Sequence, residues 1–243
     1  MGIKTLYLVG DKFINFTNGE NILLASELLG KNDNSHLMQK KDNYVVCQGV
    51  NSRVFSAFSN LANIANRKVL ERKEDKANVH KQYETNVMIT IPEKLNDITY
   101  MGNLLLDNEC IELSDHVTGK HISGMILIEA ARQMMLATSE RYFLPTSLCK
   151  NSYFVLNNIN IKFLNFLFPL EVCIKCIVLD VEFSEKGSMK ANFSIEFWQY
   201  GIVGAKVDIT FSVYEKNFLT IKEGDAAKLV IKKLKLGVSN SHD

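Results

Sequence analysis

The sequence predicts an α+β fold, and three observations carry that reading. A long segment from about Ser123 to Tyr142, apolar almost all round from Gly124 to Ala137, reads as one buried helix. Four long strand-like segments follow it with no further helix between them, at roughly 153–164, 170–182, 189–199 and 202–214. Their connections are turn-like, as in Glu185-Lys-Gly-Ser188 and Tyr200-Gly201. One helix followed by a run of antiparallel strands should lie against one face of a curved sheet.

In chain order, the first part reads as a small α/β unit. Ile3 to Val9 is a strand of β-branched and aromatic residues, and Gly10-Asp11 turns the chain. Asn18 to Leu29 carries helix-spaced apolar residues with Asn18 as a cap. Asn43 to Cys47 reads as a second strand and Ser52 to Ile64 as a second helix. The mixed-charge run Arg67-Lys-Val-Leu-Glu-Arg-Lys-Glu-Asp-Lys76 suits a solvated helix end or linker and places a boundary near residue 78. Beyond it, Asn86 to Ile91 reads as a short strand, and 101–113 contains another. The organisation is then a leader over 1–77, the α+β domain over 78–215 and a basic tail over 216–243. The tail reads as a lysine-rich helix through Lys228, Lys232, Lys233 and Lys235 that frays at its end.

The 243 residues leave room for one large domain, or a medium domain with appendages. Hydrophobic residues make up 47% and charged residues 23%, which excludes a disordered or fibrous chain. Lys+Arg number 28 and Asp+Glu 27, a formal charge of +1, so no nucleic-acid partner is expected. Bulk charge gives no reason for membrane attraction either. There is no run long and apolar enough to span a membrane. The start, Met1-Gly-Ile-Lys-Thr-Leu6, lacks a signal peptide's apolar stretch, and Leu6 stands where a myristoylation motif wants Ser or Thr. A cytoplasmic protein is expected. Cys47, Cys110, Cys149, Cys173 and Cys176 are an odd number of scattered thiols, which fits the reduced state. Cys173-x-x-Cys176 has metal or redox spacing, but residues three apart on a strand point to opposite faces, so these read as ordinary strand cysteines. Val9-Gly10-Asp11 lacks the glycine pattern of a nucleotide loop. No metal and no cofactor are expected.

The chemistry concentrates on the long helix. Within Gly124 to Ala137 the only polar side chains are Glu129, Arg132 and Gln133. At about 100° per residue they share a sector of roughly 100°. Buried charges need partners, and the i,i+3 and i,i+4 spacings let these three reach one another. One reading is a structural ion pair or a stripe facing water. The other is a site, and the preceding loop favours it. Asp115-His-Val-Thr-Gly-Lys-His-Ile-Ser-Gly124 brings His116 and His121 to a helix start, where unpaired N–H groups favour developing negative charge. Gly124 lets a ligand carbonyl approach the backbone. Histidine, carboxylate and backbone donors together are the parts needed for chemistry on a thioester carbonyl.

These residues resemble a known family. His116, then Ser123-Gly124, then Glu129-Ala130 and Gln133 are similar to the motif of the β-hydroxyacyl-carrier-protein dehydratases, which have the hotdog fold, a long helix wrapped by an antiparallel sheet. Asp115-His116, His121, Gly124-Met125, Leu127, Glu129-Ala130 and Arg132-Gln133 resemble the A-factor biosynthesis, γ-butyrolactone synthase type more closely, because Arg132 stands beside the Gln. Asn160-Ile-Lys-Phe163 and Pro169-Leu-Glu171 look like its strand pair. Ser123 replaces the family's usual proline, and thirteen residues separate His116 from Glu129, slightly fewer than in the dehydratases. The resemblance covers about residues 78–215.

The resemblance implies transfer of a β-ketoacyl group from acyl carrier protein, or CoA, to a small hydroxylated acceptor such as a glycerol-type phosphate. Glu129 would be the base or orient the acceptor, with His116 as acid–base partner. Arg132 would bind phosphate or hold Glu129. Gly124, Gln133, His121 and Lys120 would contact substrate, with Lys162 a further cation for a phosphate. The alternatives are a dehydratase or thioesterase on the same fold, or a non-catalytic acyl-binding module. The butyrolactone synthases resemble a tandem of two hotdog units and this chain has room for one, so a homodimer with composite sites is expected.

Overall fold

A computed structural model describes residues 3–17, 21–29, 42–51, 54–56, 63–66, 72–114, 119–145, 148, 151–184 and 187–239, with backbone alone over 28–29 and 235–239. Strands β1 (Thr5–Val9), β2 (Ile22–Leu24), β3 (Asn43–Val46) and β4 (Asn63–Ile64) form a parallel sheet in the order β2-β1-β3-β4. Helix α1 (Ala25–Leu29) continues directly from β2. The helix expected over 18–29 is therefore only its last five residues. Ile22, Leu23 and Leu24 instead pair with Tyr7, Leu8 and Val9, and this non-local pairing overrides the helical spacing. Asn18, its expected cap, lies outside the described residues. The second expected helix, 52–64, ends differently too. Asn63 and Ile64 join the sheet beside Asn43 and Tyr44, while 52–53 and 57–62 lie outside the described residues.

The second sheet is built from β5 (Glu93–Lys94), β6 (Thr99–Asn103), β7 (Ser152–Phe163), β8 (Cys173–Phe183), β9 (Met189–Gln199) and β10 (Ile202–Glu215). Its order is β5-β6-β8-β9-β10-β7, antiparallel throughout. Helices α2 (Ile111–Ser114) and α3 (Gly124–Tyr142) precede β7, and α4 (Lys216–Ser239) follows β10. The long helix and the four long strands stand where the sequence places them. The strand expected over 86–91 does not form. Only isolated bridges join Lys73 to Thr90 and Ile89 to Leu104. The reason is that Met88 N–H and Asn86 C=O are both bonded to the Gln133 side chain on α3 and are withheld from a ladder. The strand expected within 101–113 is β6, which ends at Asn103, and α2 takes the end of that segment.

Helix α3 lies on one face of the curved sheet. Ile126, Ala130, Met134 and Ala137 of α3 are buried with Ile174 and Cys176 of β8, Phe193, Ile195 and Phe197 of β9, and Val207, Ile209 and Phe211 of β10. Alternate residues of β8, β9 and β10 point inward, as the two-residue period of a strand requires. A single long helix on a curved antiparallel sheet is the hotdog arrangement. Cys173 is half-buried and Cys176 fully buried, as expected of residues on opposite faces.

The leader is sewn into this domain. The buried Gln48 side chain donates to Leu104 C=O at 2.9 Å and Leu170 C=O at 3.1 Å, and accepts from Leu106 N–H at 2.8 Å. Gly49 N–H adds a bond to Leu106 C=O. Val9, Phe13, Leu24 and Cys47 belong to the same hydrophobic core as α3.

Candidate functional site

The helix start explains how the site is placed. Ser123 is the N-cap, and its Oγ accepts from Ile126 N–H at 3.4 Å. Serine therefore does the capping that suits its type. Ile122 N–H bonds Leu167 C=O at 2.8 Å, which ties the entering loop to the segment after β7. Leu167 in turn packs on Gly204, where a Cβ would fall 2.3 Å from Leu167 Cγ. The loop thus enters α3 at a fixed angle.

An apolar groove of about 520 Å³ opens at this end of the helix. Its walls include His121, Gly124, Leu127, Phe163, Leu164 and Phe166. The His121 ring lies 4.9 Å from the Phe166 ring. A Cβ on Gly124 would fall 2.6 Å from the tip of Phe163, so what approaches this backbone closely is the Phe163 ring. That ring is 57% exposed and so sits at the mouth of the groove. Of the first-turn N–H groups, that of Ile126 is taken by the Ser123 cap, which leaves those of Gly124 and Met125 without an intrahelical partner at this end of the groove. Such a space suits an acyl chain with its carbonyl at the helix start. His116 lies outside the described residues, and Lys120 and Lys162 are exposed.

The polar stripe of α3 faces elsewhere in this subunit, into a dense layer. Arg132 donates to Glu129 from Nε and Nη2, each at 2.8 Å. Gln133 Nε2 donates to Glu129 Oε1 at 3.0 Å, and its amide also bonds Met88 N–H and Asn86 C=O. Lys81 Nζ lies 2.9 Å from Glu129 Oε1 and 2.9 Å from Glu112 Oε1. Burial alone would push the Glu129 carboxyl up. The bonds from Arg132, Gln133 and Lys81 outweigh it and hold it below the ordinary value. Glu112 is held low in the same way, burial being outweighed by Lys81. A carboxylate so held is a good ionic anchor and a weak base. Of the two roles open to Arg132, the geometry displays the one of holding Glu129.

Sequence reasoning brings Glu129, Arg132 and Gln133 together, and they meet. It misses Lys81, Glu112 and Asn86, which complete the layer from other segments. It also misses the buried pair of Glu74 with Arg141, bonded at 2.5 and 2.6 Å, and His80 with Glu140 at 3.1 Å. Glu74 belongs to the mixed-charge run expected to be solvated. It is 1% exposed because it turns inward to meet Arg141. The signal was present as one acid among alternating charges, which does not say which member turns inward. Among the described residues, no group of three or more His, Cys, Asp or Glu has metal-binding geometry.

No curated protein sequence matches the chain. A mutant thioesterase from Pseudomonas aeruginosa is 15% identical, covering 58% of this chain and 95% of its own, with a TM-score of 0.41. A conserved protein from Pseudomonas aeruginosa is 18% identical, covering 58% and 100%, with a TM-score of 0.41. A hypothetical thioesterase protein with coenzyme A from Streptococcus pneumoniae is 16% identical, covering 51% and 84%, with a TM-score of 0.35. A family model described as the A-factor biosynthesis hotdog domain matches residues 65–215, more than half of the chain. With that match, and a long helix lying on a curved antiparallel sheet, the chain belongs to the A-factor biosynthesis hotdog domain family.

Proposed function

We propose that this protein is an enzyme of acyl thioesters that transfers a β-ketoacyl group from acyl carrier protein or CoA to a small hydroxylated acceptor, such as a glycerol-type phosphate. The observation that carries the reading is the apolar groove of about 520 Å³ ending at the N-terminus of α3, within a domain of this family. The acyl chain lies between Leu127, Leu164 and Phe166. The thioester carbonyl sits at the first-turn N–H groups, which favour the charge that develops on its oxygen. His121, on the groove wall, moves the acceptor's proton, with His116, five residues earlier in the sequence, as the second histidine. Lys120 and Lys162 are the cations for a phosphorylated acceptor. Glu129, held low, acts as the anchor that keeps Arg132 and Lys81 in place.

A homodimer belongs to the same proposal. Strand β7 is twelve residues long and lies at the sheet edge, with Leu156 and Phe163 exposed on it. A long, partly apolar edge invites a partner strand, and two copies of β7 can answer each other about a two-fold axis.

The test mixes protein, a β-ketoacyl carrier protein and dihydroxyacetone phosphate, and follows free thiol and product mass. Acceptor-dependent thiol release is expected, with His121→Ala strongly impaired. Phe166→Ala should lose more with long than with short acyl chains. Thiol release without the acceptor would make it a thioesterase. Water loss from a β-hydroxyacyl substrate would make it a dehydratase. Background rates in every arm would leave a non-catalytic acyl-binding module. Light scattering after gel filtration tests the dimer, and a monomer mass would refute it.

A further inference from the structure

Helix α4 has two unlike halves. Its first turns are docked on the domain. Lys216 N–H bonds Asn151 C=O at 2.9 Å, Tyr153 Oη donates to Glu223 Oε1 at 2.7 Å, and the Phe218 ring lies 6.1 Å from Tyr214. Gly224 then interrupts the helix chemistry, and a Cβ there would meet nothing within 4 Å. From Gly224 to Leu234 every described side chain is exposed.

That second half is patterned. At about 100° per residue, Ala226, Ala227, Val230, Ile231 and Leu234 share a sector of roughly 140°. Lys228 and Lys232 lie on the opposite side, with Leu229 and Lys233 between. Val230, Ile231 and Leu234 are 57%, 53% and 63% exposed, which is unusual for three neighbouring large apolar side chains on one helix face. The charge is equally one-sided. Residues 226–239 carry Lys228, Lys232, Lys233 and Lys235 and no Asp or Glu, in a chain whose net charge is only +1. The remainder is therefore net acidic, and the near-neutral total hides a basic arm on an acidic body.

We infer that residues 226–239 are a surface anchor that lies in the interface of an anionic lipid bilayer. The apolar face enters the headgroup boundary, and the lysines meet lipid phosphates and carboxylates. The arm is about 21 Å long at 1.5 Å per residue, which fits a helix lying in the interface plane. No helix of the described residues is long and apolar enough to cross a membrane. Self-pairing of two arms is disfavoured, because the lysines would meet lysines, and Asp225, already 3.2 Å from Lys228 Nζ, is the one acid beside them. A nucleic acid would use the lysines and leave the apolar face idle. An anionic bilayer complements both faces. The docked base sits near the start of β7 at Ser152 and Tyr153, while the acyl groove lies at its Phe163 end. The anchor is therefore separate from the groove, and the inference stands whatever reaction the groove performs.

The experiment uses the full chain and vesicle flotation, with vesicles of phosphatidylcholine alone and with about 30% phosphatidylserine. Flotation with the anionic vesicles alone is expected, and it should fall in about 1 M salt. The double substitution Lys232→Gln with Lys233→Gln should weaken partitioning about 25-fold, at roughly fivefold per lysine. Ile231→Ser with Leu234→Ser should abolish it without moving the thermal midpoint, since these side chains touch no core. Absence of flotation with either vesicle would overturn the inference. So would undiminished binding by the Ser variant with full competition from duplex DNA, which would mark a polyanion site. A change of oligomeric mass in the Ser variant would mark the arm as a subunit contact and overturn it too.

Discussion

Arg141→Met should destabilise the protein several times more than Arg132→Met, although both arginines hold a glutamate beside α3. The difference follows from what each carboxylate keeps after its arginine is gone. The Glu74 side chain is 0% exposed, and Arg141 bonds both of its oxygens. Without Arg141 the carboxylate keeps Asn78 Nδ2 at 3.0 Å and the Asp75 N–H at 2.6 Å, and no cation among its described bonds. A buried charge stripped of its partner costs about 3–5 kcal/mol. The two arginines are equally exposed, at 31%, but Glu129 is 17% exposed and keeps both Lys81 and Gln133. Screening by water and the second cation bring that loss down to about 1 kcal/mol. Methionine keeps the arginine stem's volume in each case, so the charge is the main thing removed. Urea unfolding at neutral pH measures both, provided the slope with denaturant is unchanged. Adding Glu74→Leu to Arg141→Met should recover most of the loss, because a well-packed apolar pair replaces a buried ion pair at little cost. Equal midpoint shifts for the two arginine variants would refute the reasoning, as would a double variant no better than Arg141→Met.

Gly204→Ala should cost about 1–3 kcal/mol by crowding Leu167, whose Cγ lies 2.3 Å from the new methyl, and a thermal midpoint unchanged from wild type would contradict that packing. Acid should weaken the polar layer in a defined window. Glu129 and Glu112 are both held below their ordinary value of 4.5, so the unfolded chain takes up protons first as pH falls. Their contribution is full above that value and is lost as pH falls through the depressed folded values. Lys81→Met should flatten this acid limb in urea midpoints measured from about pH 6 to about pH 3, and an identical limb would refute the assignment. Burial pushes the Cys47 and Cys176 thiols up to about 12 and Cys110 to about 11, helped at Cys47 by Glu171 and at Cys110 by Glu112. These three should resist iodoacetamide at about pH 8 until urea is added, read by peptide mass spectrometry.

The parts of the fold legible in the sequence are those whose signal is local and long. Helix α3 is apolar almost all round from Gly124 to Ala137 and has a serine cap, and β9 alternates apolar and polar residues from Met189 to Phe197. The leader is harder because Ile22-Leu-Leu24 is too short for its period to be told, and its partner is a strand fifteen residues away. The same division holds for the site. Glu129, Arg132 and Gln133 were legible because helix geometry alone brings them together. Lys81 was not, because it is 48 residues from Glu129 and only the tertiary fold makes them neighbours. Gly124 was read as room for a ligand. The exposed Phe163 ring, from a strand 39 residues on, lies over its Cα, a neighbour that no local pattern announces.

The bonds made by Gln48 carry a thermodynamic meaning. The parallel sheet of β1 to β4 differs in topology from the antiparallel sheet, yet Gln48 closes three backbone groups beside that second sheet, and Val9 and Phe13 join its core. Removing the leader would strand a buried N–H and two buried carbonyls and open a hollow beside α3. Heat should therefore melt leader and domain in a single calorimetric transition. A shortened chain beginning at the hotdog segment should behave as a damaged fold with exposed core, rather than as a liberated catalytic unit.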